Sequence, residues 1–271
     1  MDYPSRLFIF ILLTMIKLVD ILKEIAEKPK AIFLAGPAGS GKSFTIKQLI
    51  QPDQFKVINV DDTYEELLKT AGLGMSQKDF DADQLSQAAK LMGQAQKATK
   101  EKYAELSSQR KNIIIDGTGA AIKPLLKKKE ELEALGYETF MIMIWVSPIT
   151  SLERNVARGA DNGRSLLPQI VLRTWRDVNK NIDEYRRIFG DKFVLINNNP
   201  EVAETEYNAE DIKKRFFDTS KAKGKEKTPE EMAKAKADKE QLNADIEQLV
   251  KNIPEFDSID QAKSKINTFI K

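Results

Sequence analysis

The sequence contains no cysteine and no histidine. The first absence excludes disulfides and thiolate metal sites. The second excludes a histidine general base, a Ser-His-Asp triad and a histidine-ligated zinc. A general base in this chain therefore falls to a carboxylate, and a metal to a hard, oxygen-ligated ion such as Mg²⁺. Excess charge is lacking too: 43 Lys and Arg against 41 Asp and Glu leave a net +2, too little to argue for nucleic-acid binding by itself. Long apolar runs are also missing. The most apolar stretch, Leu7 to Ile16, is too short to span a bilayer as a helix, and Lys17 and Asp20 follow it. Arg6 precedes this stretch but no small-residue cleavage site follows, which argues against a signal peptide. Translation starting at Met15, or a helix packed on the domain, would each account for it, and residues 1–14 are left without a role. The expectation is a cytoplasmic protein with no stable membrane association. What remains is ordinary for a soluble globular chain: 271 residues, 41% hydrophobic and 31% charged. That is enough for one large α/β domain and an appendage.

One segment stands out. Residues 36–43 read Gly-Pro-Ala-Gly-Ser-Gly-Lys-Ser, a complete G-x-x-x-x-G-K-S phosphate loop. The apolar run Ala31 to Ala35 before it predicts a buried strand. Lys42 to Ile50 after it predicts a helix with Ile46, Leu49 and Ile50 on one face. A glycine-rich turn between strand and helix points backbone N–H groups at an anion, and the helix dipole adds to the attraction. Gly36, Pro37, Ala38, Gly39, Ser40, Gly41, Lys42, Ser43 and Phe44 are thus the expected nucleotide-binding residues. Lys42 would reach the β- and γ-phosphates, and the Ser43 hydroxyl would hold Mg²⁺.

Further strands are predicted at Phe55–Val60, Asn112–Asp116, Phe140–Val146 and Lys192–Ile196. Helices are predicted between them at Asp62–Ala71, Asp83–Leu106, Pro124–Leu135, Ile149–Arg158 and Leu167–Phe189, with another at Lys17–Lys28 ahead of the first strand. Strands that are apolar throughout and alternate with helices give a doubly wound, five-stranded parallel α/β sheet. Ligands then sit beyond the carboxyl ends of the strands. Composition changes after Phe217. Residues 218–227 read as a solvated linker. Residues 228–271 read as two amphipathic helices, a C-terminal α-helical appendage that docks on the domain, on a partner, or on a second copy. This divides the chain into an N-terminal extension and helix (1–29), a main domain (30–217), the linker (218–227) and the helical hairpin (228–271).

The residues at the strand ends narrow the chemistry. Ile113-Ile114-Ile115-Asp116 is followed by Gly117, Thr118 and Gly119, so no Glu stands next to Asp116 to activate water, as a hydrolytic ATPase would have it. No guanine-specifying Asn-Lys-x-Asp occurs either. Both absences favour transfer of a phosphoryl group to an acceptor other than water. Asp61 can accept the proton of an attacking hydroxyl, while Asp62 is the better helix cap. Asp116 is either a Mg²⁺-side carboxylate or an acceptor contact, with a strand-end cap as the plainer role. Arg154, Arg158 and Arg164 flank the glycine-containing loop 159–163, and arginines on a closing lid stabilise charge that spreads over transferring oxygens.

Together these pieces resemble the P-loop kinases that include bacteriophage 5′-polynucleotide kinase and the zeta-toxin kinases. Ile58-Asn59-Val60-Asp61-Asp62 is similar to the Asn-x-Asp-Asp segment of the former, whose first Asp is the general base. Ile114 to Thr118 looks like the third-strand end of both. Leu152 to Gly159, Leu167-Pro168 and Val171-Leu172-Arg173 are similar to the kinase lid and its following helix. The resemblance spans roughly residues 30–198. It implies a P-loop kinase fold, ATP and Mg²⁺, Lys42, Asp61, Arg158 and Arg164 as catalytic residues, and Ser43 with Asp116 at the metal. It implies a hydroxyl acceptor: a polynucleotide 5′-end, a nucleoside, or a sugar nucleotide as in the zeta toxins. Both relatives often place an arginine shortly after the acidic pair to hold the acceptor, where this chain has Tyr64 and Glu65. The alternative is an ATP-binding interaction or scaffold protein whose C-terminal helices recruit a partner.

Overall fold

The computed structural model describes residues 28–50, 54–75, 80–161 and 163–200, and beyond them 237, 240, 255 and 259–270. The apolar stretch at 7–16, the helix expected from Lys17 (apart from Lys28), the linker 218–227 and nearly all of the first C-terminal helix lie outside the described residues.

Five strands form one parallel sheet: β1 (Lys30–Ala35), β2 (Lys56–Ile58), β3 (Ile113–Asp116), β4 (Glu138–Trp145) and β5 (Phe193–Asn197), in the order β2-β3-β1-β4-β5. β1 is central, with Leu34 beside Asp116 on one side and Ile142 on the other. Because successive side chains point to opposite faces, each apolar strand feeds two cores at once. Phe33, Ile115, Met141 and Leu195 face one side. Ile32, Leu34, Ile114, Ile142 and Val194 face the other. Both faces need covering, and helices α1 (Lys42–Leu49), α2 (Val60–Thr70), α3 (Ala82–Ser108), α4 (Ile122–Ala134), α5 (Pro148–Ala160), α6 (Pro168–Asn179) and α7 (Ile182–Phe189) follow the strands accordingly. Leu132, Trp175, Tyr185 and Phe189 close the first face, and Ile46 and Ile50 the second. A last helix, α8 (Ile259–Ile270), lies against β5 and buries Ala262 and Ile266 in the second core. No helix among the described residues is long and apolar enough to cross a membrane.

The expected doubly wound sheet is therefore present, and the differences are local. The second strand stops at Ile58, and Val60 already belongs to α2. The single helix expected over Leu167–Phe189 is two, α6 and α7. At the break the Asn181 amide N–H turns to the Val178 carbonyl, three residues back, and its side chain donates to the carbonyls of Gly119 and Ala120 at 3.0 Å each. Tyr185 Oη also donates to Gly119, at 2.8 Å, so the break ties α7 to the loop after β3. The apolar side chains of α3 divide between two clusters. Ala88 and Ala95 pack with Tyr64 and Leu68 of α2, Tyr103 and Leu106 pack on the sheet core, and Leu85 stays exposed.

Candidate active site

The strand order divides at β1: β2 and β3 lie on one side, β4 and β5 on the other. Beyond its carboxyl end runs the loop Gly36–Gly41, leading into α1. The loop is held from three sides. On α5, Ser151 Oγ donates to the Ala38 carbonyl, and Arg154 spans from Gly39 O (3.3 Å) to Asn198 O (2.9 Å). After β5, Asn198 Nδ2 donates to Ser40 O at 2.8 Å. After β3, Thr118 O accepts from Gly36 N at 3.0 Å. The approach is so close that a Cβ on Gly41, at φ +82°, would stand 2.5 Å from Asn198 Nδ2. Arg154 is thus a brace of the phosphate loop. That corrects its placement on the lid: its position one turn after Ser151 turns it toward the loop.

Lys42 Nζ folds over the loop and donates to Gly36 O at 2.9 Å and Pro37 O at 3.4 Å. Burial pushes its pKa down. The charges of Asp116 and Asp61 oppose that shift, and Arg158 adds to it. Ser43 and Phe44, at the start of α1, are exposed.

The acidic side is organised by Asn59. It caps α2, its Oδ1 accepting from Asp61 N at 2.8 Å, so the cap is Asn59 and not Asp62. Its Nδ2 donates to Asp116 Oδ2 at 3.0 Å and Asp62 Oδ1 at 3.2 Å. Asp61 therefore sits in the first turn of α2, close to the dipole's positive end, rather than at a strand end. Asp116, at the end of β3, is pushed up to about 6. Burial is the main cause, Asp62 and Asp61 add to it, and Lys42 opposes it. Asp116 Oδ1 is buried with no hydrogen-bond partner among the described residues. Sequence reasoning missed Asn59 as an organiser and Asn198 altogether. The run Asn197-Asn198-Asn199 at a strand's carboxyl end was the available signal for the latter.

The segment expected to form the lid begins at Arg158 in the last turn of α5. Gly163 N donates back to Arg158 O at 2.8 Å, and Asn155 fastens both polar groups of the Leu166 backbone, at 2.9 and 2.8 Å. This brings Arg164 onto the Asp61 carboxylate as an ion pair, with its guanidinium carbon 5.3 Å from the centre of the Tyr64 ring. Lys42, Asp61, Asp116, Arg158 and Arg164, read from distant parts of the sequence, thus share one site.

Among the described residues no cluster of three or more metal-binding side chains occurs. Mg²⁺ needs fewer, because it keeps waters and takes phosphate oxygens as ligands. An orphaned Asp116 oxygen and the open Ser43 hydroxyl fit that requirement.

Sheet order, loop and charge set define a P-loop kinase-like protein. The family model of the zeta toxins matches residues 17–210, and the chain belongs to that family. It is 28% identical over 137 residues to the Toxin zeta of Streptococcus pyogenes, covering 50% of this chain and 46% of that protein. It is 27% identical over 137 residues to the Toxin zeta of Enterococcus hirae, with the same coverage. The chain thus spans about half the length of the curated relatives it matches. A chain of the native AvrRxo1-ORF1:-ORF2 complex shares the fold at a TM-score of 0.52 and 14% identity, over 92% of this chain and 82% of that one.

Proposed function

We propose that this chain is an ATP- and Mg²⁺-dependent kinase that transfers the γ-phosphoryl group to a hydroxyl of a small-molecule or nucleic-acid acceptor. The observation that carries the reading is the convergence on Lys42 of charges from three separate elements: Asp61 on α2, Asp116 on β3 and Arg158 on α5. The amides of 36–43 and Lys42 bind the β- and γ-phosphates. Asp61 takes the proton of the attacking hydroxyl. That oxygen bonds to the γ-phosphorus as the bond to the β,γ-bridging oxygen breaks, and ADP leaves. Arg158 and Arg164 stabilise the charge on the equatorial oxygens and keep water out. Ser43 and Asp116 would hold Mg²⁺, which when bound neutralises charge on the phosphates.

Radiolabelled ATP offered with 5′-hydroxyl DNA and RNA, nucleosides and UDP-N-acetylglucosamine identifies the acceptor. Asp61→Asn should abolish transfer and leave ATP binding nearly intact. Full activity in that variant would sink the assignment, and bound ATP with no label on any acceptor would favour the scaffold reading. The name of the curated relatives adds a toxin role, which growth arrest on expression tests. A partner bound through 228–271 is best probed by deleting 219–250, since Ala262 and Ile266 of α8 belong to the core.

A further inference from the structure

We propose that Tyr64 is a positioning residue that holds Arg164 on Asp61 and so keeps one oxygen of this carboxylate, Oδ1, occupied until an acceptor enters. The proposal rests on the kinase reading above and extends it to how the site is regulated. Tyr64 lies three residues after Asp61 on α2, so the two share a helix face. Its side chain is 1% exposed and packs with Leu68, Ala88 and Ala95 where α2 meets α3. The ring is therefore a fixed platform. Arg164 lies over it and pairs with Asp61. The Asp61 side chain is 61% exposed, whereas that of Arg164 is 19% exposed. An exposed surface ion pair is normally weak and short-lived. Here one partner is seated on an immobile ring, and a cation over an aromatic face is held more firmly as it is desolvated.

The consequence is chemical. Asp61 Oδ1, one of the two oxygens able to receive a hydroxyl proton, already accepts a hydrogen bond from Arg164. A water at that position has to displace a guanidinium held on two sides. An acceptor that brings its own contacts can do so, and it frees Arg164 to turn to the transferring phosphoryl group. Without an acceptor, hydrolysis is suppressed. In that reaction water attacks the γ-phosphorus, its proton goes to Asp61, and ADP and phosphate leave. Tyr64 stands where the resembled kinases often carry an arginine on the chain itself. In this fold the arginine arrives from the lid, and Tyr64 receives it.

The test uses the full chain with ATP and Mg²⁺ and no acceptor. Tyr64→Leu removes the aromatic platform, and Tyr64→Phe keeps it. In Tyr64→Leu, hydrogen exchange at the Gly163 and Leu166 amides should quicken and acceptor-free ATP hydrolysis should rise, each by about tenfold for a contact of this kind. Tyr64→Phe keeps the aromatic face and should stay much nearer the unaltered protein than Tyr64→Leu in both, a rescue that a merely structural role would not give. If Tyr64→Leu fails to fold, Tyr64→Met fills the core without an aromatic face. Lid exchange unchanged in the folded variant, or hydrolysis unchanged despite faster exchange, overturns the proposal. The role of Asp61 is measured separately, by loss of transfer in Asp61→Asn with Tyr64 intact, so the two readings fail independently.

Discussion

Replacing Asp116 by Asn should make the protein more stable at neutral pH while it loses phosphoryl transfer. Asp116 ends β3 inside the site, and burial raises its carboxyl from the ordinary 3.8 to about 6. At 1.36 kcal/mol per pH unit, ionised Asp116 lowers folding stability by about 3 kcal/mol. The sign follows from proton binding. Between pH 4 and 6 the folded chain holds a proton at Asp116 and the unfolded chain does not, so stability falls as pH rises through that window and stays lowered above it. Asn has the same shape, carries no charge, and still accepts from Asn59 Nδ2 through its own oxygen. Urea unfolding at pH 4, 5, 6.5 and 8 should therefore give a gain for Asp116→Asn of about 2–3 kcal/mol at pH 8 that fades toward pH 4. A gain of equal size at every pH would refute the electrostatic reasoning, and so would a loss at pH 8. On the proposed reading, in which Asp116 would hold the metal, transfer should fall as stability rises.

Two further variants probe how the site is held. Asn59→Asp keeps the helix cap on Asp61 but loses both N–H donors and sets a fourth carboxylate beside Asp61, Asp62 and Asp116. Unfolding should show about 2–4 kcal/mol lost at pH 8, less at pH 5, where Asp116 is protonated, and an equal loss at both pH values would count against it. Arg154→Ala removes the strut between Gly39 O and Asn198 O, and calorimetry should show ATP binding weakened about tenfold, the effect of losing roughly 1.4 kcal/mol from a charge-assisted contact. Unchanged affinity in the folded variant would mean that Ser151 and Asn198 suffice to shape the loop.

The phosphate loop was legible because its requirement is a backbone one. Gly39 and Gly41 adopt φ of +74° and +82° with neighbours where a Cβ would stand, and only a fixed glycine spacing satisfies that. The strands were legible because burial on both faces writes continuous apolar runs. The cap of α2 was not, since Asn59, Asp61, Asp62 and Thr63 are all suitable caps, and what chooses Asn59 is its reach to Asp116, 57 residues away. Arg154 and Arg158 illustrate the same limit. Four apart on one helix they read as a pair, and only the packing of α5 on the loop turns the first inward to Gly39 and leaves the second near Lys42.

The two halves of the site differ for a physical reason. Phosphates are bound by one contiguous turn, so the donor half appears as one contiguous motif. The residues around Asp61 come from the start of α2, the end of β3 and the lid, more than a hundred positions apart at the extremes, and no local pattern can record their meeting. The Tyr64 and Arg164 contact is the sharpest case. The sequence near Tyr64 shows only that an expected arginine is missing, while the fold supplies one across 100 residues through the lid. An arginine carried by a lid is free to leave, whereas one fixed on α2 is not. On the proposal above, the residue that hides the acceptor half from sequence reading also seats the arginine that pairs with Asp61.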